Sequence, residues 1–82
     1  MKHATPVALD ALEPLLERIR AVDGLVERRR GVFYRRSSAF LHFHEDPAGF
    51  FADVKVGPVW QRLPATTAGE RRALLAAINR AV

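Results

Sequence analysis

Hydrophobic residues recur with a helical period at both ends of the chain and alternate with polar residues in between. Leucine and isoleucine return every three to four positions over about 11–22, and again after Thr67. From Leu25 to Leu63, short apolar and aromatic runs are separated by glycine, proline and serine, which is typical of strands joined by tight turns. Because every connector in that stretch is too short for a crossover helix, we predict an antiparallel meander.

The start of the first helix depends on where Pro14 is tolerated. Asp10 followed three residues later by Glu13 matches a capping box, and this start leaves Pro14 in the first turn, where its missing N–H costs little. It predicts a helix over about 11–22 and a loose lead-in over 1–9.

An alternative start lies at Thr5, with Pro6 at the first helical position. It would lengthen the helix but leave Pro14 in its interior, where proline interrupts the hydrogen-bond ladder. We therefore favour the shorter helix. With either start, Asp23 and Gly24 are expected to end it, because glycine suits the left-handed position after a helix.

The second helix begins at a capping box formed by Thr67 and Glu70. The predicted fold class is α+β: an antiparallel four- to five-stranded meander flanked by an N-terminal and a C-terminal helix, in one domain over residues 1–82. We expect a two-layer sandwich with both helices on one face of the sheet. The other face is then left to solvent, a ligand or a second subunit.

The longest strand pattern is a hairpin over Ala39–Val56, and its register has two solutions. If residues 46–49 form a four-residue loop, His42 lies directly opposite Asp53. If residues 47–49 form a three-residue loop with a glycine bulge, His42 lies away from Asp53. The conformation of a residue before proline favours the second solution. The hydrophobic pattern favours the first, because it gathers the apolar residues on one face, and we predict the first.

In the first register, His42, His44 and Asp53 share the open face of the sheet. Two imidazoles and a carboxylate match a three-ligand metal site with an open position, or an acid–base pair. Any half-buried strand places residues i and i+2 on one face, so a structural role is the simpler interpretation. We therefore expect no cofactor, and keep a metal ion at these three residues as a hypothesis.

The formal charge of +4 raises the question of a nucleic-acid partner. Arginines cluster around one predicted hairpin with an aromatic residue between them, an arrangement that can hold phosphates and stack a base. Two simpler explanations are the arginine-rich composition of a GC-rich genome and a charged edge that prevents aggregation. The candidate nucleic-acid-binding residues are Arg28, Arg29, Arg30, Tyr34, Arg35 and Arg36.

Five phenylalanines, one tyrosine and one tryptophan are more aromatic residues than one helix-covered face can bury. We expect Phe40, Phe51 and Trp60 on the open face beside the histidines. Exposed apolar area of that size usually marks an interface, and a two-fold homodimer is the commonest solution. Curvature of the sheet or cover by the N-terminal residues is the alternative.

Composition excludes several classes of function. The chain has no cysteine, so disulfides and thiolate metal sites are excluded. No apolar run approaches the roughly 20 residues of a membrane span, and charged and proline-broken segments occupy the N-terminus where a signal peptide needs an apolar run. We expect a cytoplasmic protein. No serine with an adjacent base and no glycine-rich phosphate loop is present, which favours a non-catalytic protein.

The block GVFYRRSSAFLHFHEDPAGFFADVKV resembles small uncharacterised bacterial α+β domains whose sheet carries strand, turn, F-x-x-F, turn, aDvK. Over about Val32–Val56 it is similar to the sheet of the MmcQ/YjbR family, which carries a DNA-binding label. This chain is shorter than that family and reaches its final helix after one more short strand. The resemblance implies an antiparallel sheet and transfers no functional residue.

The sequence thus predicts a small non-catalytic binding or interaction module that associates with itself or a partner through the open sheet face. The first alternative is a basic nucleic-acid-binding domain that uses the Arg28–Arg36 hairpin. The second alternative is a metal-dependent or acid–base site at His42, His44 and Asp53.

Overall fold

A computed structural model describes all 82 residues as two helices and a six-stranded antiparallel sheet. In chain order the elements are β1 Lys2–His3, α1 Pro6–Arg20, β2 Leu25–Arg29, β3 Val32–Arg35, β4 Ser38–Asp46, β5 Gly49–Val56, β6 Val59–Pro64 and α2 Ala68–Ala81. Strands β2 to β6 are neighbours in chain order. The predicted α+β class and antiparallel meander are therefore confirmed, with β1 as an additional strand.

The N-terminal residues form a strand instead of a loose lead-in. Lys2 pairs with Glu45, and His3 pairs with His44, both on β4. Strand β3 covers only the Ser38–Leu41 part of β4, so the remaining edge is free for β1. The prediction for residues 1–9 is wrong because two paired residues are too short to produce a period in the sequence.

Helix α1 starts at the alternative position, with Thr5 as its N-cap, Pro6 in the first turn and Pro14 inside the helix. The Thr5 hydroxyl accepts from Ala8 N at 3.4 Å. Glu45 on β4 in turn accepts from the Thr5 hydroxyl at 2.8 Å and from the Thr5 amide at 3.2 Å. This tertiary contact anchors the early start, and the predicted helix over about 11–22 is too short by five residues at its N-terminal end and too long by two at its C-terminal end.

Asp10, predicted as the N-cap, lies inside α1 instead and pairs with Arg30 across a 2.7 Å contact. By contrast, the capping box of α2 is confirmed. The Thr67 hydroxyl accepts from Glu70 N at 3.1 Å, and the Glu70 carboxylate accepts from Thr67 N at 2.9 Å.

Both helices contribute to one hydrophobic core against one face of the sheet. α1 buries the stripe that its 3.6-residue period predicts, and α2 adds Leu74 and Ile78. The largest fully buried side chains are Leu12, Leu16, Ile19, Phe33, Leu41, Val54, Leu74 and Ile78. Neither helix is long and apolar enough to cross a membrane.

Phe40 lies in this core, not on the open face. Phe33 pairs with Leu41 and Tyr34 pairs with Ala39, so Phe40 is an extra residue in β4 at a β-bulge. Phe40 is 3% exposed and Leu41 is 1% exposed. The prediction of Phe40 as an interface residue is wrong because it assumed strict alternation, which a bulge interrupts.

Pro14 gives a stability prediction for α1. Its ring removes one hydrogen bond to the Asp10 carbonyl and crowds that carbonyl, and its side chain is exposed, so little packing depends on it. We expect Pro14→Ala to raise the free energy of unfolding by about 1–3 kcal/mol. Urea denaturation followed by circular dichroism measures the change.

Glu17→Ala is the matched control, because Glu17 is also exposed on α1 and its backbone N–H is intact. It should change stability by less than about 0.5 kcal/mol. A decrease in stability for Pro14→Ala would mean that the proline ring makes a packing contribution larger than its helix penalty.

Candidate functional site on the open sheet face

The hairpin of β4 and β5 has the register that the hydrophobic pattern favours. His42 pairs with Asp53, and Asp46 pairs with Gly49, which leaves Pro47 and Ala48 as the turn. The Asp46 carboxylate accepts from Ala48 N at 3.1 Å, and Gly49 has a φ of +133° that favours glycine. The residue before proline stays extended, so both sequence rules are satisfied at once.

Asp53 is the centre of a polar cluster on the open face. Its Oδ2 atom lies 2.9 Å from Nε2 of His44 and 3.2 Å from Nε2 of His42. Arg62 on β6 donates from Nε to Oδ1 at 2.9 Å and from Nη2 to Oδ2 at 3.0 Å. The Asp53 side chain is only 13% exposed, so these groups replace most of its water.

β1 adds a third histidine to this cluster. The His3 ring stacks on His44 with centroids 4.8 Å apart and lies 5.8 Å from the His42 ring. His42 and His44 are themselves 4.9 Å apart in an edge-to-face arrangement. The chain has three histidines, and all of them meet here. The sequence pattern does not predict His3 as a member of the site, because only the pairing of β1 with β4 brings it there.

The surroundings of the cluster favour the charged form of Asp53 and the neutral form of His42. The hydrogen bond from Arg62 lowers the pKa of Asp53 below its ordinary value, although burial opposes this. Burial lowers the pKa of His42 more than the nearby carboxylate raises it. Asp53 is therefore an anion and His42 a neutral imidazole at neutral pH. His44 is 8% exposed, and its Nδ1 atom has no hydrogen-bond partner.

The structure brings together the three residues predicted as metal ligands. One ligand atom from each of His42, His44 and Asp53 lies within 4.8 Å of the others. Imidazole nitrogens and a carboxylate oxygen suit first-row transition cations, and the same groups can bind and release protons.

The predicted arginine cluster is divided between the two ends of β3. Near the β2–β3 turn, Arg30 contacts Asp10 at 2.7 Å and Glu13 at 2.8 Å on α1, so its charge is neutralised. The Arg28 guanidinium instead lies 4.3 Å from the centroid of the Tyr34 ring on the open face. Arg29 is exposed at the end of β2.

At the other end of β3, Arg35 and Arg36 line an open groove with Lys55 of β5. The groove has a volume of about 340 Å³, and none of the residues that line it is acidic. Arg36 has a φ of +58°, a left-handed conformation that costs a non-glycine residue free energy at this turn.

Of the predicted interface aromatics, Trp60 is 41% exposed, while Phe51 is half-buried. Trp60 pairs with Lys55, whose Nζ lies 5.7 Å from the indole centroid. The His42 ring, on β4 across the intervening β5, lies 5.2 Å from the indole. Trp60 thus connects the histidine–aspartate cluster with the basic groove.

Comparisons of the chain with protein-family models, with curated proteins and with solved structures find no significant match in any of the three. The resemblance to the MmcQ/YjbR sheet stays a prediction from the sequence.

Asp53→Asn tests the electrostatics of the cluster. We expect the free energy of unfolding at pH 7 to fall by about 1.5–3 kcal/mol, the range for hydrogen bonds to a charged group. The pKa of His42 should fall further below its ordinary value, because the carboxylate no longer attracts the protonated ring. Urea denaturation measures the first effect, and NMR titration of the ring protons measures the second.

The direction of the Asp53 pKa shift determines how this stability difference depends on pH. The folded-state pKa of Asp53 lies below its ordinary value of 3.8, so its contribution is present above pH 3.8 and is lost as the pH falls through the lowered pKa. The stability difference between wild type and Asp53→Asn should widen as the pH falls through the pKa of His42, because the histidine of the variant is protonated less readily, and should shrink only as the pH falls through the lowered pKa of Asp53. Asp23→Asn, at an exposed turn, is the control and should change neither measurement. A difference that stays constant down to pH 2 would contradict an electrostatic origin.

Proposed function

We propose that the protein is a non-catalytic binding module and that its open sheet face binds single-stranded nucleic acid. The observation that carries this proposal is the basic groove of Arg35, Arg36 and Lys55 at the edge of that face, where the Nζ atom of Lys55 also lies 5.7 Å from the centroid of the exposed indole of Trp60. A groove with three cations and no acidic lining residue favours a phosphate group.

Trp60 supplies the second requirement, a flat surface on which a base can stack. Its exposed ring is flanked by Lys55 and, two residues along β6, by Arg62. Aromatic side chains bind bases without sequence preference, and each stacked base contributes about 1–3 kcal/mol. Arg28 and Tyr34 extend the same combination of cation and aromatic ring towards β2.

Charge argues against a second copy of the chain as the occupant of this face. A two-fold interface places the same patch of each subunit against the other. It would bring Arg28 and Lys55 close to cations of the second copy, while the carboxylate of Asp53 is already paired with Arg62 and does not offset them. Like charges that face each other oppose association, whereas a polyanion neutralises them.

A duplex is also less suited than a single strand. The exposed basic residues of α2, such as Arg72 and Arg80, lie on the opposite layer of the fold and are interleaved with alanine. No helix therefore presents a row of side chains to a major groove. The sheet offers stacking and phosphate contacts, which unpaired bases use.

The single tryptophan of the chain provides the assay. Titration with a fluorescein-labelled ten-nucleotide oligothymidylate at low salt should quench Trp60 fluorescence, and binding should weaken steeply as salt is added. We expect Lys55→Ala to lower the salt-dependence slope by about 0.7, the value for one phosphate contact to a single strand. Trp60→Leu, followed by anisotropy of the labelled oligonucleotide, should weaken binding by about 1–3 kcal/mol.

Arg72→Ala is the matched control, because it removes one positive charge from the helix layer and leaves the sheet face intact. It should bind the oligonucleotide like wild type. If Arg72→Ala weakened oligonucleotide binding as much as Lys55→Ala, the effect would come from the net charge of the protein and not from a site on the sheet face. The proposal would be contradicted if no binding were found at low salt. It would also be contradicted if sedimentation velocity showed a stable dimer in which Trp60 is protected from quenching by iodide.

A further inference from the structure

We propose that His3, His42, His44 and Asp53 form a four-coordinate site for a divalent transition cation, of which Zn²⁺ is the suitable probe. The inference does not rest on nucleic-acid binding and concerns a different set of atoms. It differs from the three-residue hypothesis in the fourth donor, His3, which the pairing of β1 with β4 supplies.

Nitrogen atoms crowd around Oδ2 of Asp53. Three nitrogen atoms lie within 3.2 Å of this oxygen: Nε2 of His42, Nε2 of His44 and Nη2 of Arg62. A carboxylate oxygen has about two acceptor positions, so three donors exceed its capacity. An imidazole nitrogen that does not donate turns a lone pair towards a negative oxygen, and a cation between the two removes that repulsion.

The distances fit a small cation. Zinc bonds of about 2.0–2.2 Å in a tetrahedron place neighbouring ligand atoms about 3.3–3.6 Å apart. The Asp53 Oδ2 atom lies 2.9 Å from His44 Nε2 and 3.2 Å from His42 Nε2. Occupation therefore requires the carboxylate to move away from each imidazole nitrogen by a few tenths of an ångström, and the ligand atoms of the cluster, now within 4.8 Å of one another, to close to the tetrahedral spacing.

His3 is placed to close the fourth position. It lies directly opposite His44 in the β1–β4 pairing, on the same face, and its ring is within 5.8 Å of both other histidine rings. Its side chain is exposed, so a rotation towards the cluster breaks only its stacking on His44. Four protein ligands leave no open position for a substrate, which makes the site structural.

Arg62 has a defined place in the occupied site. Its Nε atom donates to Oδ1 of Asp53 at 2.9 Å, and this bond can remain when the 3.0 Å bond from Nη2 to Oδ2 gives way to the cation. It can thus orient the carboxylate from the outer side, as hydrogen-bonded partners of metal ligands do. Its positive charge opposes that of the cation, and water screens this repulsion because the side chain is 48% exposed.

Occupation of the site would fasten β1 to the sheet. β1 consists of two residues, and besides its backbone pairing the N-terminal segment is held by contacts of Lys2 with Glu45 and of Thr5 with Glu45. A cation ligated by His3 together with residues of β4 and β5 would link the N-terminal segment to the sheet through coordinate bonds. Because the cation binds only the folded state, it should raise the thermal midpoint as its concentration rises.

The test uses the chain with its native N-terminus, freed of metal with a chelator that is then removed. Zinc is titrated against a chromophoric competitor, and ¹H–¹⁵N spectra of the histidine side chains are recorded. We expect one zinc per chain, shifts of all three histidine rings, and slower amide exchange at His3. His42→Ala, Asp53→Asn and His3→Ala should each weaken binding at least about tenfold, since even changes outside the first ligand shell weaken metal sites 10–100-fold.

Lys2→Ala is the matched control for His3→Ala, because it truncates the neighbouring side chain of the same strand and removes no metal donor. It should bind zinc within about twofold of wild type. Circular dichroism and urea denaturation without zinc confirm that each variant is folded. Absence of saturable binding up to millimolar zinc would overturn the site, and unchanged affinity in His3→Ala would overturn its fourth ligand. The titration contains no nucleic acid, so a failure here leaves the oligonucleotide result unaffected.

Discussion

The pairing of β4 with β5 determines which side chains face the core and which face outward in the rest of the structure. It depends on a two-residue turn, Pro47–Ala48, that is held by the Asp46 carboxylate and permitted by the left-handed Gly49. A shift of one residue would exchange the faces and bring the alternate residues of β5 into the core. With the observed register, the apolar residues of both strands pack against the helices, and the polar ones gather around Asp53. The site is therefore a consequence of how the core is filled.

Much of this could be predicted from the sequence, because core filling is a local pattern. Alternation along β4 and β5 predicted that His42 lies opposite Asp53, and the capping box at Thr67 predicted the start of α2. Both depend on residues within one hairpin or one helical turn. At that range, hydrophobic period and turn chemistry act together, so a single sequence contains enough information.

The features that were missed arise from contacts between residues distant in the chain. The early start of α1 depends on Glu45, which is 40 residues from Thr5. The same segment carries His3, whose place beside His44 follows from the edge of β4 that the short β3 leaves free. Phe40 moved from the predicted open face into the core because of a bulge, which has no marker in the sequence. In each case a tertiary contact outweighed the local sequence pattern on which the prediction was based.

The two proposals are connected by the charge of Asp53. With no cation bound, Asp53 neutralises Arg62 at one end of the surface on which Trp60 is exposed. A divalent cation ligated by Asp53 would outweigh that negative charge, and it would make the whole face more positive without altering the basic groove around Lys55. Binding of a polyanion would then become stronger in the presence of the cation, and by thermodynamic reciprocity the polyanion would strengthen cation binding by the same factor. Because the two sites share a face but no ligand atom, the coupling between them is electrostatic and should weaken as salt screens it.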